Sequence, residues 1–355
     1  MLKPLWISRS RRFQAVFCSV AIVLSALLIA LGAKLVTSKG FGMSSTTSKA
    51  IYIDKSGKTV IDASRYETAG DFSDGLAPVK VPRQGWGFID KTGALVIAPK
   101  FESTLGFKEG LAPVLVAGKW GFINRDGALV IENQFDWVAH FSEGVAIVER
   151  PSGSRADSEF LVIDTTGQIL ANLDEKKLSV DIDNARFSEG LLAVFSQEKK
   201  ARGYINKSWE FVIQPQFAWA APFSEGLARV AVVEDEMEKL GFIDTQGKFV
   251  VPPTFSTDYD FQRNSSDFSE GLAALSEGLN PSQTKAETFV YLDKMGQIAL
   301  ATEFFYAGEF HDGLATVYNA EQDRWGFIDK SGKVAIPVEY QGANDFSEGL
   351  ALVTR

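Results

Sequence analysis

The chain has 355 residues, of which 45% are hydrophobic and 12% aromatic, so it can bury one large core or two ordinary ones. Beyond residue 37 it holds 31 basic and 45 acidic residues, a net charge of −14 that repels phosphate backbones and argues against nucleic-acid binding. The chain contains two histidines, His140 and His311, and one cysteine, Cys18. One cysteine excludes an intramolecular disulfide, and scarce histidine lowers the expectation of enzymatic or metal chemistry. We therefore predict no catalytic residues, no cofactor and no metal site.

The first 37 residues have the pattern of a targeting segment. Four basic residues, Lys3, Arg9, Arg11 and Arg12, precede a largely apolar run from Phe13 to Val36. About 20 apolar residues can cross a bilayer as a helix, and the basic flank stays in the cytoplasm by the positive-inside rule. The sequence predicts either a cleaved signal peptide or a retained single-pass anchor over residues 1–37, with the rest of the chain periplasmic or at the cell surface.

A composition change marks the next boundary. Residues 38–50 are rich in Gly, Ser and Thr and have little to bury, which is typical of a flexible linker. The remaining residues, 51–355, are predicted to form one repeat domain.

A short motif recurs along this domain. Its first full form, W-G-F-I-D-K-T-G, begins at Trp86, and related cores start at residues 52, 87, 121, 161, 203, 241, 290 and 326. A second motif, F-x-[D/E]-G, occurs eight times at spacings of 34 to 46 residues. Its members include Phe72/Gly75, Phe107/Gly110, Phe141/Gly144 and Phe346/Gly349. A period of this size predicts a repeat architecture whose units are stable only when they pack on neighbours.

Each unit reads as short β-strands separated by turn residues. In one unit, residues 111–116, 120–123 and 128–131 are rich in β-branched and aromatic residues, and no stretch of the domain shows a sustained helical period. The predicted fold is all-β, with about eight units of three to four strands.

The first motif contains Lys91-Thr92-Gly93, which resembles the K-T-G box of penicillin-binding enzymes. The other copies vary these residues, whereas the preceding Asp and the final Gly, such as Asp90 and Gly93, return repeatedly. An Asp that bonds backbone N–H groups and a Gly at positive φ close a type I hairpin turn with a bulge. We interpret the motif as a turn, and we expect Trp209, which replaces the glycine in one copy, to force a rebuilt hairpin there.

The second motif is also interpreted as scaffold. Phe would anchor the core between units, while Ser and the acidic residue bond the turn and Gly takes a positive φ or allows close approach. An alternative is that the eight acidic residues form a carboxylate ring for cations.

The pairs Trp86-Gly87, Trp120-Gly121 and Trp325-Gly326, each followed by Phe-Ile-[Asp/Asn], resemble the bacterial WG (KWG) repeat family over about residues 51–355. This resemblance implies a β-repeat interaction module, often secreted or anchored, and carries over no catalytic residues.

The domain begins in mid-unit near Tyr52 and ends with the other part of a unit. If residues 350–353 complete the sheet that starts near Tyr52, the ring closes and leaves no exposed terminal edge. This favours a closed β-propeller, with an open β-solenoid as the alternative.

Length variation indicates where a partner binds. Most of it lies between the G-L-A-x-V strand and the following G-F-I-D strand, and the candidate binding loops include Glu234, Asp235, Glu236, Asn280 and Arg324. A lesser set, residues 172–185 and 256–267, extends the opposite connection. Trp137 and Trp219 are interpreted as core residues, with an exposed sugar-stacking role as the alternative.

Three functions are considered for the domain. The first is a non-enzymatic extracytoplasmic binding or scaffold module for a protein or a cell-envelope glycan. The second is an envelope polysaccharide hydrolase that uses loop carboxylates such as Asp258, Asp260 and Glu287, and the third is a structural stalk in a membrane complex.

Overall fold

The computed structural model describes residues 49–151, 158–234, 236–256, 265–276 and 288–355, all of which belong to one unit, Ser48–Arg355. Regular structure in these residues is β, apart from a 3-10 helix at Ile182–Asn184. None of their helices is long and apolar enough to cross a membrane. The predicted helix and targeting segment at residues 1–37 lie outside the described residues.

The strands form eight separate sheets, here named blades 1 to 8. The first two strands, β1 (Ala50–Asp54) and β2 (Thr59–Asp62), belong to blade 8. Blade 1 follows with β3 (Thr68–Ala69), β4 (Leu76–Val81), β5 (Gly85–Asp90) and β6 (Leu95–Phe101). Blade 2 contains β7 (Ser103–Thr104), β8 (Ala112–Val116), β9 (Lys119–Ile123) and β10 (Leu129–Phe135). Blade 3 contains β11 (Trp137–Val138), β12 (Val145–Pro151), β13 (Ser158–Asp164) and β14 (Ile169–Asn172).

The second half of the ring repeats this order. Blade 4 contains β15 (Leu178–Ser179), β16 (Leu192–Ser196), β17 (Ala201–Ile205) and β18 (Phe211–Phe217). Blade 5 contains β19 (Trp219–Ala220), β20 (Leu227–Glu234), β21 (Met237–Asp244) and β22 (Phe249–Ser256). The described strands of blade 6 are β23 (Ala273–Ser276), β24 (Phe289–Leu292) and β25 (Ile298–Ala301). Blade 7 contains β26 (Tyr306–His311), β27 (Leu314–Asn319), β28 (Arg324–Asp329) and β29 (Val334–Tyr340), and blade 8 is completed by β30 (Gly342–Ala343) and β31 (Leu350–Thr354).

The two ends of the domain meet in blade 8. Strand β1 pairs antiparallel with β31, from Ala50 opposite Thr354 to Asp54 opposite Leu350. The sheet order β2-β1-β31-β30 therefore joins the start and the end of the domain and leaves neither β1 nor β31 as an edge strand. The fold is an eight-bladed β-propeller, which confirms the prediction of a closed ring and rules out the open solenoid.

The first motif forms the turn between the third and fourth strands of each blade. In blade 1, Asp90 Oδ1 accepts hydrogen bonds from the N–H groups of Thr92 (2.9 Å) and Ala94 (3.1 Å). Gly93 N–H donates to the Asp90 carbonyl, and Gly93 has a φ of 82°. The hydrogen bond from the Thr92 hydroxyl lowers the pKa of Asp90. The Lys-Thr-Gly sequence is thus part of a hairpin turn.

The glycine of the W-G pair has another role, because it lies under the bulged fourth strand. A Cβ atom at Gly87 would lie 2.6 Å from the Ile97 carbonyl oxygen and 2.9 Å from Pro99 N. The fourth strand crowds Gly121 and Gly326 in the same way. The five blades with this glycine have fourth strands of seven or eight residues. In the other three blades a larger residue replaces this glycine, and the fourth strand has four residues. The larger residues are Ile51, Leu161 and Val290. The glycine therefore permits the longer, bulged strand.

The phenylalanine of the second motif packs between blades. Phe107, which is 1% exposed, meets Phe88 of the preceding blade edge to face, with ring centroids 4.8 Å apart. Equivalent pairs recur at 4.8 to 5.0 Å and comprise Tyr52–Phe72, Phe122–Phe141, Tyr204–Phe223, Phe242–Phe268, Tyr291–Phe310 and Phe327–Phe346. Burial of these aromatic pairs joins the blades at seven of the eight junctions, and at the junction of blades 3 and 4 Phe187 packs in one cluster with Val162.

The acidic residue of the second motif also joins blades. Both it and the following glycine have positive φ, as at Glu109 (54°) and Gly110 (79°), which makes a two-residue hairpin turn. We expected the carboxylate to bond its own turn, and this was wrong. Instead Glu109 accepts the N–H of Gly144 in the next blade at 2.9 Å. The same link occurs at all eight junctions, including the closing one, where Glu348 accepts the N–H of Gly75 at 3.0 Å.

The glycine of the second motif has a positive φ, one of the two reasons that we predicted for it, as Gly349 of blade 8 shows. We predicted that this glycine takes a positive φ or allows another group to approach closely. Gly349 has a φ of 86°, but a Cβ atom built on it would meet no described atom within 4 Å, so close approach is wrong as its reason. Nor does Gly349 serve only its own turn, because its N–H donates to Asp312 Oδ2 of blade 7 at 2.7 Å. The turn therefore requires glycine for its positive φ, and its N–H group is part of a link between blades.

These eight links form a closed circle, here named the turn ring. Each link has the length of one carboxylate side chain, so the eight turns lie close to the axis of the propeller. Lysines of the first motif reinforce the ring: Lys91 Nζ lies 2.9 Å from the Glu348 carbonyl oxygen and 3.0 Å from its carboxylate. Lys207, Lys294 and Lys330 make the same pair of contacts with the acidic residue one blade back. Lys91, the lysine of the K-T-G sequence, is thus a link between blades.

The turn at Trp209 differs from our expectation, because the hairpin is not rebuilt. Trp209 has a φ of 66°, and Asn206 Oδ1 still accepts from the N–H groups of Ser208 (2.9 Å) and Glu210 (3.1 Å). In the other blades the turn glycine faces an Ile, Val or Leu of the preceding blade, whereas here that position is Ala171. The Trp209 ring fills this space in the cluster and meets Phe187 with centroids 6.2 Å apart. Packing therefore offsets the strain of a bulky residue at positive φ.

We expect Trp209→Gly to lower the free energy of unfolding by about 2 kcal/mol, because the lost packing exceeds the relief of about 1 kcal/mol of backbone strain. Adding Ala171→Ile should recover part of this loss, since it recreates the glycine–isoleucine contact of the other blades. Ala171→Ile alone should destabilise by crowding Trp209. Urea unfolding of the three variants measures the coupling, and strictly additive effects would contradict this explanation.

Candidate binding surface at the loop end

The propeller has two unlike ends. The tip end carries the turns of both repeat motifs, and the loop end carries the other connections. Lys49 and Arg355 exchange backbone hydrogen bonds of 2.9 and 3.1 Å at the loop end, so the described chain enters and leaves there.

Both sets of variable connections open at the loop end. The connection after β14, which we placed opposite to the main set, starts at Asn172, where the fourth strand has returned from the tip end. The reason is strand direction: the second strand runs towards the loop end, the third runs back and the fourth runs towards the loop end again. The described strand ends from which the variable segments start thus all lie at one face.

Two of the candidate binding residues lie on the long hairpin of blade 5. Glu234 pairs across the hairpin with Met237, and its carboxylate lies 2.9 Å from Lys239 Nζ. Glu236 is exposed and has a φ of 65°. Asp235 and Asn280 lie outside the described residues, as do the hydrolase candidates Asp258, Asp260 and Glu287.

The fifth candidate, Arg324, borders a group of aromatic side chains at the loop end of blade 7. This group, here named the aromatic platform, consists of Phe289, Phe305, Tyr306, Tyr318 and Trp325. Ring centroids lie 5.0 Å apart for Tyr318–Trp325, 5.5 Å for Tyr306–Trp325, 6.3 Å for Phe305–Tyr318 and 5.4 Å for Phe289–Tyr306. Phe305 is 47% exposed, Tyr306, Tyr318 and Trp325 are half-buried, and Phe289, which comes from β24 of blade 6, is 3% exposed beneath them. Tyr306, Tyr318 and Trp325 come from three neighbouring strands at one level of the sheet.

Other blades place different residues at this level. The described cross-strand pairs equivalent to Tyr318–Trp325 are Lys80–Trp86, Leu115–Trp120, Glu149–Phe160, Phe195–Arg202, Ala231–Leu240, Ser276–Phe289 and Thr354–Ala50. Among these pairs, Tyr318–Trp325 alone is aromatic on both strands. Our sequence reasoning missed the platform, although its signal is present: an aromatic residue stands at the same register in three successive strands.

Polar groups flank the platform. The Tyr318 hydroxyl donates a 2.9 Å hydrogen bond to Asp323 Oδ1, and partial burial together with this carboxylate raises the pKa of Tyr318. Asp323 is exposed and has a φ of 53°, in the hairpin that joins β27 and β28. Arg324 Nη1 donates to the Asp323 carbonyl at 2.7 Å. The surface thus combines aromatic rings with a carboxylate and a guanidinium.

Trp137 and Trp219 lie at the Tyr306 position of their own blades. Trp219 is 7% exposed and packs with Ala221 and Ala231 beneath the guanidinium of Arg229, which is 5.4 Å from its ring centroid. Trp137 is half-buried against Phe160. Trp219 is therefore a core residue, as predicted, whereas Trp137 is half-buried like Tyr306 but lacks an aromatic partner on the neighbouring strand, where it pairs with Glu149.

The inner wall of the ring carries charged residues just before the phenylalanine of the second motif. Arg186 of blade 4 lies 3.8 Å from Asp267 of blade 6, a contact across blade 5 that is possible only near the axis. Desolvation by the surrounding protein raises the pKa of Asp71, and a 2.9 Å hydrogen bond from Asn344 opposes this shift. Within the described residues no group of three His, Cys, Asp or Glu side chains is arranged to hold a metal ion.

His140 lies on this wall, and none of the residues that the structure describes makes a hydrogen bond to its buried Nδ1. Burial, with a smaller effect from Lys108, lowers the pKa of His140 from 6.5 to about 4. A lowered histidine pKa means that the unfolded chain binds the extra proton between these values, so stability is lost as pH falls from 6.5 towards 4.

We therefore expect the wild-type protein to lose about 2 kcal/mol more stability than His140→Gln when the pH is lowered across this window. Denaturant unfolding at both ends of the window measures the difference. Equal losses for the two proteins would show that His140 does not titrate in this way.

The family comparison agrees with the repeat and the fold. The model of the WG containing repeat matches residues 52–81, 86–120, 120–150, 203–232, 241–278 and 325–354. The protein belongs to the WG-containing repeat family. This confirms the resemblance seen in the sequence. The matches leave out residues 279–324 of this WG repeat protein, and this stretch carries four of the five platform residues. No curated protein matches the chain.

Solved structures with the same fold include a eukaryotic initiation factor, with a TM-score of 0.51, 14% identity, and coverage of 86% of this chain and 90% of that chain. A computationally designed protein has a TM-score of 0.47 and 13% identity, covering 79% of this chain and 93% of that chain. Dipeptidyl peptidase 4 from Porphyromonas gingivalis has a TM-score of 0.49 and 9% identity, covering 84% of this chain and 57% of that chain. At 14% identity the similarity to the initiation factor concerns the fold of the WG repeat protein alone, and no conclusion is drawn from the two structures with TM-scores below 0.5.

Proposed function

We propose that this protein is a non-enzymatic, extracytoplasmic module that binds a cell-envelope glycan on the aromatic platform of blade 7. The observation that carries the proposal is the aromatic cross-strand pair Tyr318–Trp325, which is extended by Phe305 and Tyr306 into a partly exposed surface. Blades that serve only as scaffold have no need of such a surface, and the equivalent pairs elsewhere include lysine, glutamate and alanine.

The chemistry of the platform suits a sugar chain. Sugar rings offer apolar C–H faces that pack on aromatic rings, while their hydroxyl groups need donors and acceptors at the edge. Asp323 and Arg324 supply such groups beside Tyr318 and Trp325. Phe305, which is 47% exposed, offers its ring to the face of a sugar.

The extracytoplasmic location rests on the sequence. The basic flank and apolar run of residues 1–37 would direct the following domain out of the cytoplasm. The glycans of the envelope would then be within reach of the loop end.

Co-sedimentation tests this function. The full chain is mixed with insoluble cell-wall polysaccharide, and we expect it to pellet with the polymer and to be released by soluble fragments of that polymer. If the protein stays in the supernatant with every wall polymer, or pellets only through a protein attached to the wall, the proposal is wrong.

A further inference from the structure

We infer that the aromatic platform prefers glycan chains that carry protonated amino groups, and that Asp323 determines this preference. The inference rests on the proposed function and names the class of glycan that the same site takes.

The charged groups around the platform are mostly carboxylates. Glu303, Glu321 and Asp323 are exposed carboxylates in the two segments that border the rings. Arg324 is the one cation in these segments, and its guanidinium donates to the backbone carbonyl of Asp323. Three carboxylates against one guanidinium give these segments a net negative charge.

Asp323 has an unusual backbone conformation for a residue with a side chain. Its φ of 53° is one that glycine adopts without strain, and glycine occupies many turns of this protein. An aspartate there keeps a carboxylate beside the rings, where Oδ1 accepts the hydroxyl of Tyr318 at 2.9 Å. Because the side chain is exposed, the carboxylate can also accept a hydrogen bond from a ligand.

The rings and the carboxylates of the platform both favour a cationic ligand. An ammonium group is attracted to the faces of Trp, Tyr and Phe, and a carboxylate at the ring edge adds to this attraction. An acidic polymer would meet repulsion from the rim and from the whole domain, since the chain beyond residue 37 carries a net charge of −14. An amine-bearing sugar chain therefore fits both the rings and the rim.

The test compares a glucosamine hexasaccharide with the N-acetylglucosamine hexasaccharide by calorimetry on the full chain, at a pH where the amines are protonated. We expect the wild-type protein to bind the amine-bearing chain about tenfold more tightly at low salt, and the preference to shrink as salt is added. Asp323→Asn and Asp323→Gly should remove most of this preference, because each should lower the affinity for the amine-bearing chain more than the affinity for the N-acetylated chain. Asp323→Gly suits the positive φ, so thermal unfolding should show that the domain is intact.

Asp126→Asn is the matched control, because Asp126 is also an exposed carboxylate in a hairpin turn but lies in blade 2 at the tip end. It should keep the full preference. Equal binding of the two oligosaccharides, or a preference that survives in both Asp323 variants, would overturn the inference and leave the proposed function standing. Binding of neither oligosaccharide would overturn the inference, and only the co-sedimentation result decides the proposed function.

Discussion

Removal of residues 350–355 is expected to abolish cooperative folding of the propeller. This truncation deletes β31, which lies between β1 and β30 in blade 8 and is the strand through which the ring closes. Ala351 and Val353, each 1% exposed, are lost from the core, and Ile51 and Ile53 lose their cover. We expect a loss of about 5 kcal/mol or more, which is comparable with the whole stability of a typical domain.

Circular dichroism and urea unfolding measure this effect. The matched control is removal of Arg355 alone, which leaves β31 in place and should unfold in one transition with a midpoint close to that of the intact chain. If the chain without residues 350–355 keeps a sharp transition at the wild-type midpoint, closure through β31 does not hold the ring together.

Substitution Tyr318→Ala is expected to weaken glycan binding about 30-fold, the effect of removing an aromatic residue at the centre of a binding surface. Tyr318 touches both Trp325 and Phe305, so its loss separates the two parts of the platform. The fold should survive, because Tyr318 is half-buried at the end of β27.

Lys80→Ala is the control for this variant, because Lys80 pairs with Trp86 in blade 1 as Tyr318 pairs with Trp325 in blade 7. It should bind the glycan as the wild-type protein does. Affinity electrophoresis in gels that contain the soluble polymer compares the two variants, and equal retardation of both would exclude the platform as the binding surface.

Much of the fold was predictable because its signals are local. The turn of Asp90 and Gly93 depends on hydrogen bonds within five residues, so its pattern identifies each hairpin wherever it recurs. The closed ring was predictable because the repeat domain begins and ends with complementary parts of one unit. Strands β1 and β31 join these two parts.

Features that depend on contacts between blades were harder to predict. The carboxylate of Glu109 could bond its own turn or the next one, and only the packing of the blades places Gly144 within reach. We expected Trp209 to force a rebuilt hairpin. The small residue that leaves room for its ring, Ala171, lies 38 positions earlier in the chain and in another blade, so the sequence did not show that the two residues meet. The same limit applies to the binding surface, whose aromatic residues form a platform only once the register of β27 and β28 is known.

The most direct test of the account is photo-crosslinking of the full chain to a cell-wall oligosaccharide that carries a photoreactive group, followed by mass-spectrometric mapping of the labelled residues. We predict labels in 303–306 and 318–325, and their loss in the Tyr318→Ala variant. Labels confined to the turns of the tip end, or to inner-wall residues such as Asp71 and Arg186, would contradict the claim that blade 7 carries the binding surface.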